Sequence, residues 1–159
     1  LAEIDLRGIY MSNYFDWDAL SHVQEVVNKW EFNTVTYKRD RTFNLYAKLD
    51  DHADEIHDYL KYLKFGYGRA TDDASMEIRH GRMTREEAVK INQEKSGKFP
   101  EEYLGYKISE ILKEIDCSRE EFIKICDKFT NKNLFVCNNK NELIKDDKLN
   151  LILKNNEYK

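Results

Sequence analysis

No run of about 18 apolar residues occurs in the chain, so nothing in it is long and apolar enough to span a bilayer. An excess of basic charge is also missing. Twenty-six Lys and Arg stand against 30 Asp and Glu, a formal charge of −4, which argues against a general nucleic-acid binder with its basic stripe. The three cysteines, Cys117, Cys126 and Cys137, form no C-x-x-C pair, which excludes a zinc knuckle or a thioredoxin-like motif. Their scarcity fits a reducing, cytoplasmic compartment. No internal repeat is visible. Neither a Gly-x-Ser-x-Gly elbow, a glycine-rich loop ending in Gly-Lys-Ser, nor a Ser-Gly-Gly phosphate loop occurs. A nucleotide used by this protein is therefore expected to bind mainly outside the chain. The opening Leu1-Ala2-Glu3-Ile4-Asp5 has neither a Met nor the charged-then-apolar pattern of a secretory signal, and reads as a stretch cut from a longer protein.

What is present is a chain of 159 residues, 41% apolar, 13% aromatic and 35% charged. That is too apolar for disorder, and long enough to bury roughly 70% of its unfolded surface in one core. Residues 4–14 read as a short strand entering a turn. Leu20, Val23, Val27 and Trp30 recur at helical spacing behind Asp16 and Asp18, predicting a capped helix with one buried face. Residues 32–49 read as loop with a short strand over 33–38. A helix over 53–68 carries the stripe Ile56, Leu60, Leu63 and Tyr67 and ends at Gly66-Tyr67-Gly68. A second helix is expected from about Asp72 to Gly81. A third opens at the capping box Thr84-Arg85-Glu86-Glu87. Pro100, the single proline, is expected in the first turn of a helix bearing Leu104, Ile108, Ile111, Leu112 and Ile115. The box Ser118-Arg119-Glu120-Glu121 opens another with Phe122, Ile123, Cys126 and Phe129 inward, the two making an αα-hairpin. Beyond Thr130 an Asn/Lys-rich tail offers a small hairpin between Leu134–Cys137 and Glu142–Lys145, and its last residues are expected to fray. The fold class expected is mainly α, helical with a short N-terminal strand. Its parts are 1–50, a strand with a connecting segment; 51–130, a helical domain; and 131–159, the tail.

The densest polar cluster runs from Lys64 to Arg82. It offers a glycine-bounded helix break with Lys64, Arg69, Arg79 and Arg82 nearby, a pattern suited to phosphate or carboxylate groups. Asp72, Asp73, Ser75 and Glu77 suit sugar hydroxyls or a cation instead, and a helix stop, a cap and a solvated face would account for the same residues. No metal site is expected. His52 and His57, five apart, point about 140° from each other on a helix. His57, beside Asp58 and one turn from Lys61, suits a polar contact in a cleft. His22 and His80 are expected at the surface.

The stretch His57-Asp58-Tyr59-Leu60-Lys61-Tyr62-Leu63-Lys64-Phe65-Gly66-Tyr67-Gly68-Arg69-Ala70-Thr71-Asp72-Asp73-Ala74-Ser75, continued by Glu77-Ile78-Arg79 and Gly81-Arg82-Met83-Thr84-Arg85-Glu86-Glu87-Ala88, carries a resemblance. It closely resembles the C-terminal part of the N-acetyl sugar amidotransferases of bacterial surface-polysaccharide biosynthesis, including the lipopolysaccharide O-antigen and pseudaminic-acid branches. Arg7 to Asp18 and Arg41-Thr42-Phe43 are similar to the same family. The resemblance covers roughly residues 5–130 and not the tail. It implies the helical C-terminal region of an α/β ATP-pyrophosphatase-like enzyme, with residues 1–50 as the end of the truncated α/β part, an enzyme that converts an acetamido group on a sugar to an acetamidino group. ATP with Mg would be bound mainly outside this chain, and ammonia would come from glutaminase-type subunits. The resemblance also implies an anionic sugar substrate and a possible homodimer, with no nucleic acid and no membrane insertion. Transferred by position, His57, Asp72 and Asp73 become catalytic candidates, while Lys64, Arg69, Ser75, Arg79 and Arg82 become substrate-binding candidates. A chain without the ATP loop is not expected to act alone. The alternative is a non-catalytic helical protein-interaction module.

Overall fold

The computed structural model describes residue 4 and residues 7–154. It divides into two compact units, Leu1–Thr34 and Val35–Lys159. Among the described residues the fold is mainly helical, with six α-helices and one two-stranded sheet. No helix among them is long and apolar enough to cross a membrane.

In the first unit, residues 7–14 form no strand. They hold a 3-10 turn, Met11–Asn13, in which Tyr14 N–H reaches the Met11 carbonyl at 2.9 Å, a local bond that replaces strand pairing. Asp5 and Leu6 of the expected strand lie outside the described residues. Helix α1, Ala19–Trp30, starts where the pattern places it, with the Asp18 carboxylate accepting from Leu20 N–H at 3.3 Å. The expected buried face is a correction: no residue of α1 is buried, and Trp30 is 76% exposed. Periodicity reports which side chains share a face, but a second element must arrive to cover it.

The second unit holds the core. Residues 35–53 contain no strand, contrary to the one expected over 33–38; Val35 N–H bonds the Leu45 carbonyl, and the segment is otherwise held by side chains. Helix α2, Asp54–Phe65, closes at Gly66 with φ +76. Its buried face is not the Ile56–Leu60–Leu63–Tyr67 stripe, since Leu60 and Tyr67 are half exposed. It is Glu55, Asp58, Tyr59, Tyr62 and Leu63, which also recur at steps of three and four but mix carboxylates with aromatics. Helix α3, Arg69–Arg79, begins three residues before the expected start at Asp72, with Gly68 as its cap residue. Ala70 and Ala74 are fully buried where α3 meets α4, Arg85–Lys95, and Thr71 Oγ1 donates to Asn92 Oδ1 at 2.7 Å across that contact. The Thr84/Glu87 capping box is present, with Thr84 N–H on Glu87 Oε2 at 2.8 Å.

The helix expected from Pro100 is instead a hairpin followed by a single short helix. Strand β1, Glu102–Tyr103, pairs antiparallel with β2, Tyr106–Lys107, and α5 spans only Ile108–Lys113. Leu104 and Gly105 both take positive φ, the geometry of a two-residue hairpin turn that no helix can pass through. Helix α6, Arg119–Phe129, follows with Ser118 as cap; Phe122 and Cys126 point inward, whereas Phe129 is exposed. The tail contributes more than the expected hairpin. Bridges Cys137–Leu143, Lys145–Leu151 and Phe135–Leu153 join three short extended segments. Their turns are held by Asn138 and Asp146, whose carboxamide and carboxylate oxygens accept backbone N–H groups two and four residues on. Residues 155–159, where fraying was expected, lie outside the described set.

Phe135, fully buried, packs on Tyr62 with ring centroids 5.4 Å apart, while Phe99 bridges Tyr59 and Phe122 at 5.5 and 6.2 Å. On its other side Tyr62 lies against bare backbone: a Cβ added at Gly97, itself at φ +78, would stand 2.6–2.7 Å from the ring. Gly97→Ala should therefore cost about 1–3 kcal/mol, combining left-handed strain with overpacking. Urea unfolding checks this, with a lowered midpoint at unchanged slope as the expected result.

Candidate functional site

The irregular segment 36–50 carries two buried arginines. The Arg39 guanidinium donates to the Asn44 and Ala47 carbonyls at 2.9 and 2.7 Å and to the Tyr103 hydroxyl at 2.7 Å. Its own carbonyl accepts from the buried Lys95 Nζ. Arg41 Nε lies 3.1 Å from Glu55 Oε2, with both side chains about 5% exposed, and its Nη1 donates to the Lys98 carbonyl. The Arg41 carbonyl in turn accepts from Ala70 N–H at 3.1 Å, in the first turn of α3. Burial pushes the Glu55 carboxyl above the ordinary carboxylate range, with Arg41 and then Arg39 pulling it back.

At the break between α2 and α3 these contacts continue into a second set. Arg69, the first residue of α3, grips Asp58 with two N–H groups at 3.2 and 3.4 Å and approaches Asp72 at 3.9 Å. Lys61 also pairs with Asp72. Asp73 accepts from the buried Thr42 hydroxyl, which joins α3 to the 36–50 segment. Burial raises the Asp73 carboxyl above its ordinary value, opposed by the Thr42 bond and by Arg69. A small space of about 10 Å³ between Arg41, Asp58, Arg69 and Gly97 has room for one water. Chemically, the arrangement supplies a desolvated carboxyl suited to proton handling and an Asp72–Lys61 edge open to solvent.

The structure thus brings Arg69, Asp72 and Asp73 together. His57 is on the exposed side of α2, and Lys64 lies exposed over the Phe65 ring. The Ser75 hydroxyl donates back to the Thr71 carbonyl at 2.7 Å. Arg79 is exposed beside Met76, about 15 Å along α3 from Arg69. Arg82 pairs with Glu77 through two bonds of 2.6 and 2.9 Å. Among the described residues no grouping of three His, Cys, Asp or Glu has the geometry to hold a metal. Sequence reading missed Arg39, Arg41, Glu55, Asp58 and Lys95 as members of this network. The usable signal was Glu55 and Asp58 standing at i and i+3 on the same face as Tyr59 and Tyr62.

The family described as LPS biosynthesis protein WbpG-like, C-terminal domain, matches residues 24–148. The chain belongs to this family. The match covers α2, α3 and the break between them that builds the network. It also runs well into the Asn/Lys-rich tail, past the limit near residue 130 that the motifs suggested. A WbpG-like domain is a component of lipopolysaccharide biosynthesis. Comparison with curated proteins finds no match. The tail's place in the family agrees with its structure, since Phe135, within the matched residues, is a core residue of the larger unit rather than part of an appendage.

Two outcomes test the network. Arg41→Ala leaves the Glu55 charge buried without its partner and should cost about 3–5 kcal/mol in urea unfolding, whereas Arg41→Met with Glu55→Met should recover most of that loss. For Asp73 the sign follows from its raised folded-state pKa. Its stabilising contribution is complete below the unfolded value near 3.8 and is lost as pH rises through the folded value. Asp73→Asn should therefore gain in melting temperature relative to wild type as pH is raised from below 3.8 to neutrality. A difference that stays flat across that range would remove Asp73 from the desolvated set.

Proposed function

We infer that this WbpG-like domain serves an ATP-dependent N-acetyl sugar amidotransferase, which converts a sugar acetamido group to an acetamidino group during surface-polysaccharide assembly. The match over residues 24–148 to a lipopolysaccharide-biosynthesis family carries the reading, and the dense motif from His57 to Ala88 gives it its chemistry. In such a reaction the amide oxygen would attack the α-phosphate of ATP and release pyrophosphate, and ammonia would then add to the activated carbon, give up a proton and expel AMP with the former amide oxygen. The residues described here do not form a cradle for ATP with Mg: no glycine-rich phosphate loop is present, and Lys61 and Arg69 are already engaged by Asp72 and Asp58. The nucleotide is assigned mainly to a part of the enzyme outside this chain. The role proposed for the α2–α3 break is to position the sugar and manage the proton released by the incoming amine. Asp73 is the desolvated carboxyl for that task, with Asp72 at its solvent edge. Arg79 and Arg82, farther along, would meet the anionic portion of the substrate. Glutaminase-type subunits as the ammonia source, and a homodimer, belong to the same reading.

The test is an assay of the full-length protein with ATP, Mg²⁺, an ammonium salt and nucleotide-linked N-acetyl sugars. The expected result is AMP release that depends on the sugar, together with a product in which NH replaces the amide oxygen by mass spectrometry. Sugar-independent AMP release, or none, overturns the reading. Arg79 is exposed, so Arg79→Ala should leave the fold intact while lowering kcat/KM at least tenfold, about 1.4 kcal/mol of transition-state binding.

A further inference from the structure

Three segments distant in sequence meet at the C-terminal end of α2. Asn131, just past α6, donates its N–H to the Leu63 carbonyl at 3.0 Å, and the Lys154 Nζ and N–H reach the Lys132 and Leu134 carbonyls, each at 2.8 Å. Leu134 and Leu153 close over Gly66, 3.3 and 3.6 Å from where a Cβ would stand. The segments that meet, 59–68, 128–141 and 149–154, hold six lysines and no Asp, Glu or Arg, in a chain whose acids outnumber its bases. Of the acids flanking them, Asp72, Asp127 and Glu142 are engaged by Lys61, Lys145 and the Asn138 amide. Lys64, Lys128, Lys132 and Lys154 are exposed, and among the described residues no carboxylate lies within ion-pair distance of them. Large apolar side chains face water beside these cations. Phe65 is 51% and Phe129 68% exposed, with Lys64 and Lys128 over their rings at 5.4 and 5.7 Å, and Tyr67 and Leu153 are also exposed.

We propose that this face docks on an anionic lipid surface, its lysines meeting the headgroups while Phe65, Phe129 and Leu153 enter the headgroup boundary. Peripheral docking of this kind needs no spanning helix. A long apolar stem lets each lysine lie along a neighbouring ring and still carry its charge to the headgroups. The choice of cation separates this occupant from others. Protein interfaces enrich Arg and deplete Lys, and nucleic-acid sites favour the Arg fork, whereas every cation of these segments is a lysine. A second copy is disfavoured by charge, because a two-fold interface would set this acid-free face against itself. Lys61 joins the face to the α2–α3 break: it pairs with Asp72 and stands 4.8 Å over the Tyr67 ring. Docking would therefore hold the Asp72 edge near the bilayer. The inference rests on charge and exposure alone, and its test needs neither ATP, sugar nor ammonia, so its outcome is independent of the amidination reading.

Co-sedimentation of the chain with vesicles of equal parts phosphatidylglycerol and phosphatidylcholine, and with vesicles of phosphatidylcholine alone, tests this. The expected result is binding to the anionic vesicles that weakens as salt is raised. Lys128→Gln with Lys132→Gln should weaken it about tenfold or more. Lys90→Gln with Lys113→Gln, the same charge change at exposed lysines of α4 and α5, should leave it unchanged. Phe129→Ser, which alters no charge, should also weaken binding if the ring enters the boundary. All five side chains are exposed, so circular dichroism should show the fold retained in each variant. Equal binding to uncharged vesicles, equal loss in the two double variants, or indifference to Phe129→Ser overturns the proposal. Absence of vesicle binding overturns it as well, and leaves the face to an acidic protein surface.

Discussion

The larger unit depends on one guanidinium and one carboxylate removed from water together. Arg41 belongs to a segment with no helix or strand of its own, and Glu55 to the first turn of α2; at 3.1 Å, both nearly fully buried, each makes the other's burial tolerable. The remaining bonds of Arg41 reach the Lys98 and Ala70 backbones, so a single side chain and its carbonyl tie the irregular segment to α2, to the start of α3 and to the chain after α4. Thr42 on Asp73 and Lys95 on the Arg39 carbonyl repeat the device on either side. A loop of this length without secondary structure is held by side-chain bonds to carbonyls and carboxylates in place of a backbone ladder.

This arrangement has a functional consequence. Pinning the 36–50 segment across the α2–α3 break buries much of Asp73 and holds Arg69 on Asp58, while Asp72 and Lys61 stay partly exposed. Rigid placement of charged groups in partly dry surroundings is what proton transfer and anion recognition both require. The lipopolysaccharide-biosynthesis family to which the domain belongs works on substrates that present such groups, under the reading proposed here.

Legibility differed between elements for identifiable reasons. The caps at Asp18, Thr84 and Ser118 and the stop at Gly66 were readable because each is decided within four residues of chain. The 100–115 segment was misjudged because Leu104 and Gly105 adopt positive φ, converting a helical apolar period into a hairpin; the spacing of Ile108, Ile111 and Leu112 continued to look helical across the break. The inward face of α2 was misassigned because an apolar stripe was sought, whereas the buried stripe includes Glu55 and Asp58, whose partners come from residues 41 and 69. Of the candidate site, Arg69, Asp72 and Asp73 were readable as a dense polar cluster. Arg39, Arg41 and Lys95 were not, since basic residues in an irregular segment or at the end of a helix ordinarily face water.

The order of helices, their caps and stops and the membership of the central motif were determined by the sequence alone, because those features arise from interactions between near neighbours in the chain. Which charges are buried was decided by the tertiary structure. A lysine or glutamate becomes a dry, costly, chemically useful group only when elements distant in sequence close over it, as α2 and Arg41 do for Glu55, and as the 36–50 segment does for Lys95. Local pattern carries no record of that closure, and the same is true of α1, whose apolar face the pattern predicted and whose exposure only the fold revealed.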